Sequence, residues 1–171
     1  MNSTLLSQLK PNSTNIIRRL RSISFFLLSL IFFGCSSTNA VSYVDQNSDK
    51  QVLMNIQSQY QQWKNTPYKY GGSSYKGIDC SAFVMNAFQS KFNVNLPRTT
   101  TQQAKLGHEV SKLKAGDLVF FKTGEGRSGL HVGIYYKNGQ FLHVSSHHGV
   151  QLASLSNEYW KSNYWMSRRV L

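Results

Sequence analysis

The sequence is short of acidic residues, cysteines and long hydrophobic runs. It holds 7 Asp and Glu against 19 Lys and Arg in 171 residues, which gives a formal net charge of +12. Such a balance favours an anionic partner, whether nucleic acid, an anionic membrane or an acidic polymer. Beyond the N-terminus the basic residues are scattered, and no nucleic-acid-binding motif occurs. We therefore expect an anionic extracellular surface or polymer as the partner, and no nucleic acid.

The longest hydrophobic run, residues 23–33, is too short to cross a bilayer, because a membrane-spanning helix needs about 20 residues. Arginines at positions 18, 19 and 21 precede this run, a pattern typical of a secretory signal. Residues 32–37 read FFGCSS, and a small residue followed by cysteine resembles the bacterial lipoprotein signal, with Cys35 as the lipidated first residue. Phe32 stands where that signal usually has leucine. An uncleaved signal anchor with an incidental cysteine is the alternative.

These features divide the chain into a signal peptide (residues 1–34), a lipidated N-terminus with a flexible tether (35–48) and one domain (49–171). Because no aspartate follows Cys35, we expect an outer membrane lipoprotein that faces the periplasm and attaches to the membrane through acyl chains. The chain has only two cysteines. If Cys35 is acylated, Cys80 has no partner for a disulfide. A free thiol in an oxidising compartment then needs a chemical reason.

In the domain, helices come first and strands follow. Helical spacing of apolar residues predicts an amphipathic helix over residues 49–65 with Asp49 as its cap. A glycine-rich loop leads to a second helix that starts at Cys80, with Asp79 as the N-cap, and a short third helix covers residues 99–107. Alternating patterns then predict strands over residues 117–121, 131–136, 141–145, 149–154 and 164–171. This order indicates an α+β fold.

Cys80 at a helix start is well placed for a nucleophile. The first helical turn directs unpaired N–H groups and about half a positive charge at the sulfur. Together with a nearby imidazolium, this lowers the pKa of a thiol, so we expect Cys80 to be ionised. The alternative is a small hydrophobic residue at a helix end. The presence of a base nearby decides between the two.

Two of the five histidines, His131 and His143, lie on adjacent predicted strands. A two-residue turn at residues 138–139 would place their side chains on opposite faces of the hairpin. A three-residue loop, with residues 137–138 in a type I turn and Gly139 left-handed as a bulge, changes this register by one residue. His143 then lies opposite Gly133, on the face of His131 and diagonal to it, at about 7–8 Å between the backbones. Cooperation between the two rings requires this bulged register, which we predict.

In the bulged register, His131 is the candidate base for Cys80, and His143 orients the His131 ring as the third member of a triad does. The alternatives are a surface histidine at a strand end for His131 and a half-buried, hydrogen-bonded histidine for His143. A zinc site is less favoured, because these three residues lack C-x-x-C and H-E-x-x-H spacings. We therefore expect no metal. The pair His147 and His148 is typical of a turn.

Together these segments closely resemble the NlpC family of papain-like cell-wall cysteine peptidases, especially its small Spr-type murein endopeptidase lipoproteins. The resemblance covers residues 51–171 and runs through PYKYGG, GIDCSAF, LPRTTTQQ, AGDLVFF, HVGIYYKNGQFLH and YWKSNYWMSRRVL. It implies a papain-like (NlpC-type) fold, with N-terminal helices packed on an antiparallel sheet of about five or six strands. It also implies that Cys80 is the nucleophile, His131 the base and His143 the orienting residue.

The same resemblance implies hydrolysis of peptidoglycan stem peptides, at the D-Ala–diaminopimelate cross-link as in the Spr-type proteins or at the D-Glu–diaminopimelate bond. Tyr68 matches the family tyrosine near the oxyanion site, and Asp79 and Ser81 match positions that line the substrate cleft. The alternative for Tyr68 is a role in loop packing, and helix capping accounts for Asp79 equally well, without a contact to substrate. We expect a monomer that needs no cofactor. A Cys-His acyltransferase or amidase and a non-catalytic wall-binding lipoprotein are the alternatives.

Overall fold

The computed structural model describes residues 39–124 and 129–171, with side chains from residue 48 onward. The signal peptide, Cys35 and the start of the expected tether lie outside these residues. Helix α1 spans Asn39–Trp63, so the prediction that the helix begins with a cap at Asp49 was wrong, whereas the division into signal peptide, tethered N-terminus and domain stays a prediction. The physical reason is that no proline or glycine between residues 39 and 63 interrupts the helix. Within the described ranges no helix combines the length and apolar character needed to cross a membrane.

The apolar face of α1 enters the core of the domain. Ile56 and Trp63 are buried, and Val52 and Tyr60 pack against the same cluster of side chains, as their spacing predicts. The helix ends before Asn65, whose φ of 70° is left-handed. Asparagine tolerates this conformation at a helix end.

Short elements connect α1 to the main sheet. Strand β1 (Ser73–Ser74) pairs with β2 (Gly77–Ile78), and helix α2 spans Cys80–Phe92. The prediction for the α2 start is confirmed, because Asp79 caps the helix by accepting a hydrogen bond from the Ala82 N–H. Helix α3 is only four residues long, Thr100–Gln103. It is shorter than predicted because the chain turns to enter the sheet as β3 (His108–Glu109).

The main sheet of the described residues has six strands in the order β3-β8-β4-β5-β6-β7, and all its pairs are antiparallel. Helix α4 (Glu158–Asn163) precedes the last strand. The strand bounds are β4 Leu118–Lys122, β5 Leu130–Tyr135, β6 Gln140–Ser145, β7 Gly149–Ser154 and β8 Tyr164–Arg169. Helices packed on an antiparallel sheet confirm the predicted α+β fold.

The two faces of the sheet carry different clusters of side chains. The face that packs on α2 holds the main core, including Phe120, Val132 and Leu142. The other face holds a smaller cluster of Val119, Phe121 and Phe141, with Trp160 packed against it. His131 pairs with Phe121 in the β4–β5 ladder, and His143 follows Phe141 by two residues on β6. Because side chains alternate along a strand, both histidines belong to this second face.

The β5–β6 hairpin has the predicted register. Tyr135 pairs with Phe141 in the described ladder, and the Tyr136 N–H donates to the Gln140 carbonyl at 2.8 Å. Continuing this register places His143 opposite Gly133. A Cβ built on Gly133 would lie 3.2 Å from the His143 Cβ. The prediction that the two histidines share a face is therefore confirmed.

The turn of this hairpin differs from the prediction. Gly139 is left-handed as expected, with φ of 74°, but Asn138 is left-handed as well, with φ of 51°. Positive φ at both central residues is the signature of a type I′ turn, and the Gln140 N–H closes it on the Lys137 carbonyl at 2.8 Å. The prediction of a type I turn at residues 137–138 was wrong. Asparagine adopts left-handed φ at little cost, so the bulge shifts to Lys137 with the register unchanged.

Candidate active site

A cleft of about 790 Å³ lies at the start of α2, beside α3 and the ends of β5 and β6. All six candidate catalytic and substrate residues of the domain line it: Tyr68, Asp79, Cys80, Ser81, His131 and His143. Its walls also include Arg98, Thr100 and Trp160, for which the sequence indicated no role. Among the described residues, no group of three or more His, Cys, Asp or Glu side chains is placed to hold a metal ion.

The Cys80 sulfur is held by groups from three elements. The Thr100 hydroxyl of α3 lies 3.8 Å away, and the backbone N–H groups of Ser81 and Val132 also hydrogen bond with the sulfur. Ser81 belongs to the first turn of α2, so the helix start acts on the thiol as predicted. Val132 follows His131 in β5, which places the thiol next to the strand that carries the candidate base.

The protonation state of Cys80 differs from the prediction. Burial raises the pKa of the thiol, and the hydrogen bonds from Thr100, Val132 and Ser81 act in the opposite direction without offsetting it. The negative charge of Asp79 raises the pKa further. Desolvation therefore outweighs the helix start. The direction of this pKa shift opposes the predicted ionised sulfur and favours a neutral thiol in the resting site.

The two histidines form a neutral, hydrogen-bonded pair, in which His131 Nε2 lies 3.1 Å from His143 Nδ1. Burial lowers the pKa of His131 to about 4. Burial, together with repulsion from His131 when that ring is protonated, lowers the pKa of His143 to about 3, although a hydrogen bond with the backbone of Val144 acts in the opposite direction. Because both values lie well below neutrality, neither ring carries a charge at pH 7.

Trp160 of α4 covers the histidine pair. The centre of its ring lies 5.2 Å from that of His131 and 4.8 Å from that of His143. It also packs edge-on to Phe121, at 4.7 Å between ring centres. This aromatic cover excludes water from the imidazoles, and exclusion of water is what lowers the pKa values of both rings.

Asp79 is occupied by groups of the protein itself. Its two oxygens accept hydrogen bonds from the backbone N–H groups of Gly71 and Ala82, the Ser81 hydroxyl, and Nη1 and Nη2 of Arg98. Burial raises the pKa of Asp79, but hydrogen bonds from Arg98 and Ala82 outweigh this, so the pKa is lowered overall. A carboxylate offers about four lone-pair sites. Its acceptors are therefore taken, and helix capping accounts for Asp79 without a substrate.

Tyr68 lies on the wall of the cleft. Its backbone forms an isolated bridge with Ile78, two residues before Cys80 in the chain. The tyrosine side chain is half-buried against the main core. This bridge fixes the loop that carries Tyr68 to the segment that leads into α2.

The sequence pattern of the NlpC/P60 family matches residues 65–169, which include this whole cleft. The chain belongs to the NlpC/P60 family. The resemblance predicted from the motifs and the papain-like (NlpC-type) α+β fold are thereby confirmed.

Individual members of the NlpC/P60 family support this assignment. The probable endopeptidase NlpC of Escherichia coli K12 is 46% identical over 147 residues, covering 84% of this chain and 96% of that protein. The murein DD-endopeptidase MepS/murein LD-carboxypeptidase of the same strain is 40% identical over 173 residues, covering 99% and 88%. A solved NLP/P60 family structure from Staphylococcus aureus, described as similar to lipoprotein, has 28% identity and a TM-score of 0.63. The match covers 71% of this chain and 42% of that one, so the chain spans less than half of the solved protein.

Four residues around the site were missed by the sequence analysis: Arg98, Thr100, Gln151 and Trp160. Arg98 and Thr100 lie in LPRTTTQQ, and Trp160 lies in YWKSNYW, two segments that carried the family resemblance. The motifs could therefore have pointed to Arg98, Thr100 and Trp160, but only the tertiary fold brings these side chains to the cleft. Gln151 had no sequence signal beyond its place in a predicted strand.

The neutral thiol leads to a prediction for alkylation. Since burial raises the pKa of Cys80, the rate of carboxamidomethylation by iodoacetamide is expected to rise with pH through pH 9 and beyond. A thiolate–imidazolium pair, in which the cysteine pKa falls to about 3–4, would instead react at a constant rate across neutral pH. Mass spectrometry of Cys80 at a series of pH values measures the rate. Free cysteine is the reference, and a plateau between about pH 5 and 8 would contradict the neutral resting state.

Proposed function

We propose that this protein is a cysteine peptidase that hydrolyses peptide bonds in peptidoglycan stem peptides during growth or remodelling of the cell wall. The observation that carries the proposal is the cleft that Cys80 lines together with the hydrogen-bonded pair of His131 and His143. Membership of the NlpC/P60 family supports it, as do relatives named as endopeptidases that align over most of their length.

The geometry supports a two-stage mechanism through a thioester. The Cys80 proton passes to His131 as the sulfur attacks the carbonyl carbon of the stem peptide. The backbone N–H of Cys80 and the Tyr68 hydroxyl are the proposed donors to the resulting oxyanion. Loss of one such donor typically costs roughly a hundredfold to a thousandfold in rate. His131 then gives its proton to the leaving amine.

The second stage releases the other product. His131 takes a proton from a water molecule, and the oxygen of that water attacks the thioester carbon. The bond to sulfur breaks, the free carboxylate leaves, and the proton returns to the sulfur. His143 keeps the His131 ring in place through both stages. Each stage uses side chains of this chain as acid and base.

We propose the D-Ala–diaminopimelate cross-link as the preferred bond. The support is the likeness of the motifs to the Spr-type proteins and the similarity to MepS, which is named a murein DD-endopeptidase. The D-Glu–diaminopimelate bond is the second candidate. The name of MepS also includes murein LD-carboxypeptidase, so removal of a terminal residue from a stem peptide belongs in the same assay.

Incubation of the purified protein with defined muropeptides tests this function. A cross-linked dimer is expected to yield two uncross-linked stems, each identified by mass spectrometry. Cleavage inside the stem would give products of different mass and move the preference to the D-Glu–diaminopimelate bond. A product with an added acyl group would favour an acyltransferase, and an intact dimer that still binds would favour a wall-binding lipoprotein. Slow alkylation of Cys80 at neutral pH does not separate these candidates, because burial raises the pKa of the thiol in all of them.

We also propose that Cys35 carries acyl chains and holds the domain at the outer membrane, facing the periplasm. The support is the arginine-flanked hydrophobic run followed by FFGCSS. A position at the inner face of that membrane brings the cleft to the peptidoglycan layer. Mass spectrometry of the N-terminal peptide tests the proposal, and an unmodified Cys35 in protein from the native envelope would overturn it.

A further inference from the structure

A role for Gln151, which rests on the proposed function, follows from the two ring nitrogens of His131. His131 Nε2 is engaged by His143 Nδ1 at 3.1 Å, so Nδ1 is the nitrogen left to take the Cys80 proton. A neutral imidazole carries a proton on one nitrogen only. His131 can therefore act as the base only when its proton is on Nε2 and is donated to His143.

The proton of His143 is constrained in turn. When His131 Nε2–H donates to His143 Nδ1, that nitrogen is the acceptor, and the His143 proton must be on Nε2. The opposite arrangement puts the His143 proton on Nδ1 and the His131 proton on Nδ1. In that second arrangement His131 presents an N–H to Cys80 and cannot accept the thiol proton.

Gln151 meets His143 Nε2, the ring nitrogen that is not engaged by His131, and the backbone of Val144 is the other group that hydrogen bonds with this ring. It lies on β7 directly opposite His143 in the β6–β7 ladder. Its side-chain amide nitrogen is 3.5 Å from His143 Nε2. His143 is 1% exposed, so it has little access to water as an alternative partner. Gln151 stands behind the histidine pair and apart from the described residues that line the cleft.

A glutamine amide can serve either arrangement, because it has an oxygen that accepts and a nitrogen that donates. With the oxygen toward His143, Nε2–H of His143 is favoured and His131 Nδ1 is free to accept a proton. With the nitrogen toward His143, as in this structure, the reverse holds. A half-turn about the last side-chain bond exchanges the two, and this torsion is soft.

We propose that Gln151 is a positioning residue that sets the tautomer of His131 through His143, and that the reactive form has the amide oxygen turned toward His143. The chain of hydrogen bonds then runs from Gln151 through His143 to His131, and leaves His131 Nδ1 free to accept the Cys80 proton. When His131 takes the Cys80 proton on Nδ1, its Nε2–H bond to His143 stays in place, so one proton transfer suffices.

Nitrogen NMR of protein labelled in its histidines tests the tautomers directly, since protonated and unprotonated ring nitrogens have distinct chemical shifts. At neutral pH the wild-type protein is expected to carry the protons of both His131 and His143 on Nε2. Gln151→Met removes the donor and the acceptor at similar length, and is expected to give a mixture of tautomers at both rings. A His131 proton on Nδ1 in the wild type, or unchanged tautomers in the variant, would overturn the proposal.

Kinetics on the cross-linked muropeptide provide a second test. Gln151→Met is expected to lower kcat by roughly tenfold to a hundredfold, in line with the loss of a partner that orients a functional histidine. KM should stay unchanged because Gln151 lies outside the cleft. Gln151→Glu supplies only acceptor oxygens and is expected to keep kcat within a few-fold of the wild type. Equal losses in the Met and Glu variants, or wild-type kcat in the Met variant, would contradict the assigned role.

A matched control and a separate readout complete the test. Gln140 is an exposed glutamine on the neighbouring strand β6, and Gln140→Met is expected to leave kcat, KM and the histidine tautomers unchanged. Thermal unfolding of each variant reports whether a loss is structural. If the wild-type protein does not cleave muropeptides, the proposed function fails, whereas the NMR result still decides the role of Gln151.

Discussion

Cys80→Ala is expected to abolish cleavage of cross-linked muropeptides while leaving the fold intact. Removing the nucleophile of a hydrolytic triad lowers kcat by on the order of a millionfold. The cost in stability is small, because Cys80 is partly buried and its side-chain partner is a hydroxyl, that of Thr100 at 3.8 Å. Chromatography of the digest measures cleavage, and thermal unfolding measures the fold.

Two controls make the Cys80→Ala result specific. Binding of the variant to purified peptidoglycan should match the wild type, since the walls of the cleft are unchanged. Cys80→Ser places a hydroxyl where the thiol was, and a hydroxyl is a much weaker acid than a thiol, so this variant too should be inactive. Cleavage at the wild-type rate by Cys80→Ala would remove Cys80 from the mechanism and leave the assignment of this cleft without support.

Arg169→Met is expected to have the largest effect on stability, with a loss of about 2–4 kcal/mol in the free energy of unfolding. Arg169 lies on β8, where its Nε is 2.8 Å from Oδ1 of Asp117 and its Nη2 is 2.8 Å from Oδ2. The Asp117 side chain is only 1% exposed. Removing the guanidinium leaves a buried carboxylate without its opposite charge, and urea unfolding monitored by tryptophan fluorescence measures the cost.

The neighbouring arginine on β8 is the matched control for this loss. Arg168 donates through Nε to the Ala104 carbonyl at 3.0 Å, and Arg168→Met should cost only about 1 kcal/mol, as for a single hydrogen bond. Neither arginine is among the described residues of the cleft, so both variants should retain kcat while folded. Equal losses at the two positions would show that the ion pair with Asp117 contributes no more than one hydrogen bond.

The positions of Cys80 and the two histidines could be predicted from the sequence because short-range rules decide them. Asp79 before an apolar run marks a helix start, and that start places Cys80. The number of residues between His131 and His143 allows a common face only with one bulged residue in the hairpin. Where the bulge forms depends on which residues turn left-handed. Asn138 and Gly139 both accept that conformation, so the local rules leave the position open.

The protonation state of the site could not be predicted, because it depends on contacts between residues far apart in the sequence. Trp160 comes from a short helix without a periodic signal, yet its ring covers the histidine pair. The helix start at Cys80 is visible in the local sequence, but the burial that raises the pKa of the thiol, and outweighs the effect of the helix start, is not. The same holds for Gln151, which meets His143 only after β6 and β7 pair.

The saturated carboxylate of Asp79 has a consequence for substrate affinity. It ties together the loop at Gly71, the start of α2 and the segment at Arg98, so these parts of the wall are ordered before any ligand arrives. Loss of conformational freedom on association then falls mainly on the incoming peptide. If peptidoglycan is the substrate, as proposed, a stem peptide that is held taut in the network has less freedom to lose than a slack one, and the cleft is expected to bind stretched stems more tightly.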